Sequence, residues 1–513
     1  MIKKIFLILL LSAGMSFGEM TKEQSTDAEA LIKQVRMYVK WYPGLAKKIC
    51  ETIIAKYPGS DYALEAQRRL ANSYLWARSS GQMQTEVNKL TANYAGKARL
   101  AAEMYRLAWE CEEYERALGP GGDYEALGDA GGEGYKKAID IYQQIVQKCP
   151  DSNEAGKAKL DVSRVTVLAL IRTGKSSEAP AAMDSMIANF SEHPDLTRGL
   201  YDTAVEYEKA GMYEQAREIY QGIMKSFPDT NETDYAISSQ KHLVFLSLAA
   251  GKDKEAKEGL DKMVKDFAGH PRLTEALYDT AKEYEKQGRY EQAGEIYRQT
   301  SQTSAHPFRS DKAKVDIAKV KIMGLAAAGD DSNALPAVDK MIVDFNSHPY
   351  LAAAVSQIAK LYSDKGRQLE KGGSADAAKN SFQKAATIYE VVTNRLGDSI
   401  AYSQKTGRIR EYETGTPKAY FALGYCYRKF GEHEKSIQCY KALMEKYPEF
   451  LMTRYAFPMV EQNFLDMSKA GMMSADAAEE NVRAVYEDFL KKYPESTTTD
   501  YIGIWMARNE VGD

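Results

Sequence analysis

Apolar residues recur three and four positions apart through most of this 513-residue chain, in runs a few turns long that glycine or proline ends. Over residues 197–228, Leu200, Ala204 and Tyr207 share one helical face, Gly211 breaks the pattern, and Ala216, Ile219, Tyr220 and Ile223 share the next. Pro228 then stops the second run. The pattern predicts two short amphipathic helices joined by a glycine turn. Such helices are marginal alone in water, so each has to bury its apolar stripe against neighbours in a stack. No strand-like alternation of comparable length competes.

The stack is built from copies. LTRGLYDTAVEYEKAGMYEQAREIY (196–220) and LTEALYDTAKEYEKQGRYEQAGEIY (273–297) agree at 19 of 25 positions at an offset of 77. The flanking blocks GKSSEAPAAMDSMIANFSEHP (174–194), GKDKEAKEGLDKMVKDFAGHP (251–271) and GDDSNALPAVDKMIVDFNSHP (329–349) repeat at 77 and 78. The unit is therefore a double hairpin of about 77 residues.

AYFALGYCYRKFGEHEKSIQCYKALMEKYP (419–448) resembles a tetratricopeptide repeat. Tyr420, Leu423–Gly424, Tyr427, Gly431, Ser436, Tyr440 and Pro448 fall at the spacing of that family, in which small residues let paired helices approach and aromatic rings fill the space opposite. The resemblance implies an all-α, right-handed α-α superhelix, a solenoid of roughly eleven helical hairpins between about residue 28 and residue 494. The expected organisation is divergent hairpins over 19–96, a hairpin over 97–150 carrying the Gly-rich insertion 119–134, and regular double repeats over 151–349. A divergent hairpin over 350–396, a loop insertion over 397–417, two hairpins over 418–494 and a cap or tail over 495–513 complete it.

Composition adds an address. Residues 1–18 join Lys3 and Lys4 to an apolar run, Ile5–Leu11, and small residues before Glu19, the pattern of a cleavable secretory signal peptide and too short to span a bilayer. The expected location is periplasmic or secreted, with no membrane span in the mature chain. Removing that segment leaves 66 basic against 72 acidic residues, which offers nucleic acid no general attraction. KYPGSDYALEAQRRLANSYL (56–75) together with the export signal resembles the tetratricopeptide proteins of Gram-negative cell envelopes, of the outer-membrane assembly lipoprotein and Tol-Pal cell-division coordinator type. The five cysteines are odd in number and contain no CxxC, so they form no disulfide framework, although Cys426 and Cys439 fall in one hairpin and could pair.

Catalytic, cofactor and metal chemistry find no footing. RTGKSS (172–177) ends like a phosphate-binding loop but has Ala169 where a glycine is needed and follows a helix rather than a strand. The acidic residues of 119–134 lack calcium-loop spacing, and no Cys/His cluster has zinc spacing. Three of the six histidines end the hexapeptides NFSEHP (189–194), DFAGHP (266–271) and DFNSHP (344–349). Helices pack about 8–10 Å apart, so successive copies stand roughly 20 Å apart and cannot ligate one ion. They read as helix stops, with histidine placed where the partial negative charge of a helix C-terminus tolerates positive charge. His433 takes the slot of Tyr213 and Tyr290 after a turn glycine, and His242 has no role in the repeat.

In the resemblance, the first helix of each hairpin lines the concave side. Tyr201, Tyr278, Phe421, Tyr425 and Arg428 are the candidate partner-binding residues there, since aromatics and arginine are common interface anchors. The lysine, arginine and asparagine clamp by which some family members grip a terminal carboxylate is not carried over. Val205, Lys282, Phe245, Met323 and Tyr425 stand where its asparagine would. The expected function is an exported, non-enzymatic scaffold for protein or peptide partners in the cell envelope. A glycan or small-ligand binding solenoid is the alternative, and an enzyme with its site in the insertions a weaker one.

Overall fold

The computed structural model describes residues 20–38, 43–118, 132–226, 233–304, 307–396, 415–450, 452–494, 496 and 498–499. The signal segment, residues 119–131 and 397–414 of the two insertions, Pro228, and the tail from residue 500 lie outside the described residues. The chain divides into two units, Met1–Ala250 and Gly251–Asp513.

The first unit holds α1 (Lys22–Tyr38), α2 (Pro43–Lys56), α3 (Asp61–Trp76), α4 (Ser80–Asn93), α5 (Leu100–Leu118), α6 (Glu133–Lys148), α7 (Asn153–Arg172), α8 (Ala179–Asn189), α9 (Leu196–Lys209), α10 (Tyr213–Ser226) and α11 (Thr233–Ala249). The second holds α12 (Asp253–Asp266), α13 (Leu273–Lys286), α14 (Tyr290–Thr303), α15 (Pro307–Ala327), α16 (Asp331–Asp344), α17 (Leu351–Lys371), α18 (Ala375–Arg395), α19 (Gly415–Lys429), α20 (His433–Lys446), α21 (Thr453–Lys469) and α22 (Ala475–Lys492). These twenty-two helices are what eleven hairpins require, and the described residues contain no strand. The architecture is an all-α solenoid, as the repeat predicts. None of the described helices is long and apolar enough to cross a membrane.

Within each unit an odd-numbered helix packs on its own even-numbered partner and on the first helix of the next hairpin. The first helices thereby form continuous rows, α1-α3-α5-α7-α9-α11 in one unit and α15-α17-α19-α21 in the other. Close approach inside a hairpin depends on missing side chains. Tyr440 lies flat over Gly424, where an added Cβ would stand 2.8 Å from the ring, and Phe382 covers Gly366 in the same way at 2.9 Å. The Ser436 hydroxyl, buried beside that contact, donates to the Gly424 carbonyl at 2.7 Å. The turn glycines Gly174, Gly211, Gly288, Gly329 and Gly431 all have φ between 75 and 86°, which explains why glycine recurs there.

The HP hexapeptides are corners between hairpins. His193, His270 and His348 each donate a backbone N–H to the carbonyl of the phenylalanine three residues back, at 2.8–2.9 Å. The imidazole Nδ1 then accepts the backbone N–H two residues on, from Asp195, Arg272 and Tyr350, at 3.1–3.2 Å. The ring therefore caps the following helix as an acceptor, which needs Nδ1 unprotonated. This corrects the expectation that the histidines serve as positive charge at the preceding helix end. Burial also holds the His348 imidazole below its ordinary value.

Glu133 and Gly134 belong to α6, and Gly415 opens α19. The two helices within 350–396 are 21 residues each. Cys426 and Cys439 are free buried thiols, each pushed up to about 12 by burial, and the other three cysteines are free as well.

Candidate functional site

Along the first helices the same polar couple recurs. A tyrosine two helical turns before a glutamate appears as Tyr105 and Glu112 on α5, Tyr201 and Glu208 on α9, and Tyr278 and Glu285 on α13. The second helix of each hairpin supplies a tyrosine whose hydroxyl donates to that glutamate. Tyr142 reaches Glu112 at 2.8 Å, Tyr220 reaches Glu208 at 3.1 Å and Tyr297 reaches Glu285 at 2.9 Å. The two rings of each couple meet with centroids 5.2–5.9 Å apart, edge-on or tilted.

The first helix of the next hairpin completes the couple with a basic side chain, and here the copies differ. Arg164 on α7 grips both oxygens of Glu112, at 2.7 and 2.9 Å. His242 on α11 sets Nδ1 2.7 Å from Glu208, its ring stacked on Tyr220 with centroids 5.1 Å apart. Lys319 on α15 lies 3.0 Å from Glu285. One turn earlier stand Asp161, Ser239 and Asp316. Arg164 binds Asp161 at 2.8 Å and Lys319 binds Asp316 at 2.7 Å. Tyr105 and Tyr278 donate their hydroxyls to the same two aspartates. In the middle copy, by contrast, the buried Ser239 hydroxyl has no hydrogen-bond partner among the described residues. His242, unexplained by the repeat, is thus the middle member of an arginine, histidine, lysine series.

Burial alone would depress Lys319, yet Asp316, Tyr350 and Glu285 hold it above its ordinary value, so it stays charged. Burial, and then Asp316, pushes the Tyr278 phenol far up, which keeps it a donor. Tyr350, just before α17, donates to the other Asp316 oxygen at 3.0 Å, and Gln357 accepts from Lys319 at 2.8 Å.

Above this network in the second unit lies a groove of about 440 Å³ that crosses α13, α15 and α17. Its floor and walls include Tyr278, Tyr297, Tyr350, Lys319 and Gln357, and its rim includes Lys282. Lys312 holds its ammonium 4.4 Å from the Tyr350 ring centroid and 5.2 Å from that of Tyr278. No group of three or more potential metal ligands occurs among the described residues.

The sequence-predicted residues divide accordingly. Tyr201 is half-buried among Tyr220, Tyr235 and His242, and Tyr278 walls the groove. Phe421, Tyr425 and Arg428 lie on α19, away from that groove. Phe421 meets Tyr440 edge-on at 5.5 Å, and Tyr425 meets Phe382 at 6.0 Å. Arg428 stands where Glu208 stands in its hairpin and pairs with Asp466 of α21 at 2.7 Å, a couple with its charges reversed. His433 sets Nδ1 3.1 Å from Asn463 Oδ1, while its counterpart Tyr213 is exposed rather than packed. The glutamates, the second-helix tyrosines and the cations were missed by reading apolar faces. The signal for them was the Tyr-to-Glu spacing of seven, shared by Tyr105–Glu112, Tyr201–Glu208 and Tyr278–Glu285, the last two at the 77-residue offset.

Residues 199–230 and 418–449 match the tetratricopeptide repeat family. The two matched tetratricopeptide segments overlap hairpins of both units, one carrying the histidine couple and the other the reversed one. No curated protein matches the sequence. Among solved structures, the chain is similar to a tetratricopeptide repeat protein from Parabacteroides merdae at 11% identity, over 59% of this chain and 98% of that one, with a TM-score of 0.27. It is also similar to the apo quorum sensor NprR from B. thuringiensis (15% identity, 74% and 98% covered, TM-score 0.32). Yeast Tom70 is similar at 12% identity, over 95% and 97%, with a TM-score of 0.33.

Proposed function

We propose that this protein is an exported, non-enzymatic tetratricopeptide scaffold that binds protein or peptide partners along its first helices, in the cell envelope. The observation that carries the binding part is the groove over α13, α15 and α17, where aromatic walls and lysines meet in an open depression. The polar couple beneath it, Glu285 with Tyr297, Lys319 and Asp316, is mutually satisfied, which favours a rigid binding platform over reacting groups. The export part is supported by the pattern of residues 1–18.

A photo-crosslinking residue at Lys282, on the groove rim, tests the binding reading in intact cells. The control position is Lys254 on α12, whose side chain is 91% exposed. Adducts with envelope proteins at 282 and not at 254 are the expected result. Adducts with cytosolic proteins alone would overturn the export reading, as would a purified chain that keeps Met1 instead of starting at Glu19. Binding of sugars at 282 with no protein adduct would replace the partner class.

A further inference from the structure

The hairpin of α9 and α10 and its near-copy of α13 and α14, each taken with the first helix that follows it, differ in charge at the groove positions. At the 77-residue offset, Val205, Tyr235 and His242 of the first unit correspond to Lys282, Lys312 and Lys319 of the second. Three lysines have replaced an aliphatic, an aromatic and an imidazole side chain, against one added carboxylate, Asp316 for Ser239. Counting histidine as neutral, these four positions carry a net two more positive charges in the second unit than in the first (three lysines minus one aspartate).

Several other charges at the groove are paired. Lys319 is committed to Asp316 and Glu285. Lys360 lies 2.6 Å from Asp364, and Lys286 lies 3.6 Å from Glu283. Both of those pairs have well-exposed lysines, and exposed ion pairs are worth so little that an incoming carboxylate can exchange into them. Lys282 is exposed on the rim, and Lys312 presents its ammonium between two tyrosine rings. Cations therefore border a groove whose walls are tyrosine rings and whose length spans three successive first helices.

Resting on the peptide-binding reading above, we propose that this groove takes an acidic, extended peptide segment. Its carboxylates would meet Lys282, Lys312 and Lys360, and its backbone would lie across the faces of Tyr278 and Tyr350. An elongated site suits a chain better than a small anion, and the acidic balance of the whole protein, −4, disfavours nucleic acid.

The test uses the full-length protein and a fluorescein-labelled ten-residue peptide alternating glutamate with alanine, followed by anisotropy. The comparison peptide carries glutamine for glutamate. The glutamate peptide is expected to bind about tenfold or more tighter, with an affinity that falls as salt rises. Lys282→Glu combined with Lys360→Glu, both at exposed positions, is expected to weaken it about tenfold or more, while Lys254→Glu changes it less than about twofold. Equal binding of both peptides, or no effect of the double variant, overturns the acidic-ligand inference but leaves the scaffold reading standing if crosslinks at 282 persist. Polyphosphate displacing the peptide at lower charge concentration would overturn the peptide assignment in favour of a polyanion. Absence of peptide binding together with absence of crosslinks at 282 would sink both readings.

Discussion

Arg164 is the side chain on which the first unit should depend most. It is 2% exposed and binds Glu112 and Asp161, both fully buried, with Asp202 3.6 Å away. Replacing it by methionine keeps the volume and removes the charge. Glu112 would retain Arg116 at 2.6 Å and the Tyr142 hydroxyl, and Asp161 would retain Arg198 at 3.4 Å and Tyr105. Two buried carboxylates would nonetheless lose their principal cation, and breaking a buried pair from one side costs about 3–5 kcal/mol. The homologous change His242→Met should cost about 1–2 kcal/mol. Glu208 keeps 24% of its side chain exposed and can turn to water, so only a hydrogen bond and a ring stack are lost. Because stacked repeats open locally, native-state hydrogen exchange read on α5, α7 and α9 is the suitable assay. Arg164→Met should lower protection across all three helices. Glu112→Gln added to Arg164→Met should recover part of the loss, since the stranded charge is gone. A loss below about 1 kcal/mol for Arg164→Met, or one no larger than for His242→Met, would refute the reasoning.

Other outcomes follow from local geometry. Gly424→Ala puts a Cβ 2.8 Å from the Tyr440 ring, and Gly415→Ala puts one 2.3 Å from the Ala352 backbone, which has less room to yield. Each should cost about 1–3 kcal/mol, Gly415→Ala the more, and wild-type denaturation midpoints would count against the packing described. His348 is depressed in the folded state, so its contribution is present above the unfolded value of about 6.5 and is lost as pH falls through the folded one. His348→Asn keeps a cap acceptor for the Tyr350 N–H and should flatten the fall in α17 protection between pH 7.5 and 5; an unchanged pH profile would argue against it. Iodoacetamide on the native protein should label Cys149, which is partly exposed, and spare Cys50, Cys426 and Cys439, each held at about 12 by burial. Mass spectrometry finding equal labelling at Cys426 would contradict the burial.

The helices and their turns were legible because they rest on short-range rules. Apolar spacing, turn glycines and the HP corners fixed where hairpins begin and end without knowledge of any neighbour. The couples were not legible, because Glu112 and Arg164 are 52 positions apart and meet only once first helices stand side by side. Tyr201 and Tyr278 drew attention as aromatics, but their exposed appearance in a helical wheel hides the partners that the next hairpin supplies. His242 looked anomalous for the same reason, since only the arginine and lysine at its equivalent positions give it meaning. The corner histidines show a subtler failure: proximity to a helix C-terminus suggested positive charge, whereas the next helix start recruits the ring as an acceptor.

The placement of the couples bears on how a chain like this can lengthen or shorten. Glu112 with Arg164, Glu208 with His242, Glu285 with Lys319 and Arg428 with Asp466 each join the first helices of two consecutive hairpins. A duplication that copied both hairpins would carry the acid and its base together and arrive electrically complete. One that copied or deleted a single hairpin would strand a half-buried ion in a seam made for two. The inheritable brick is then the pair, and the period of about 77 residues, twice what helix packing alone demands, records which copying events produced a foldable product.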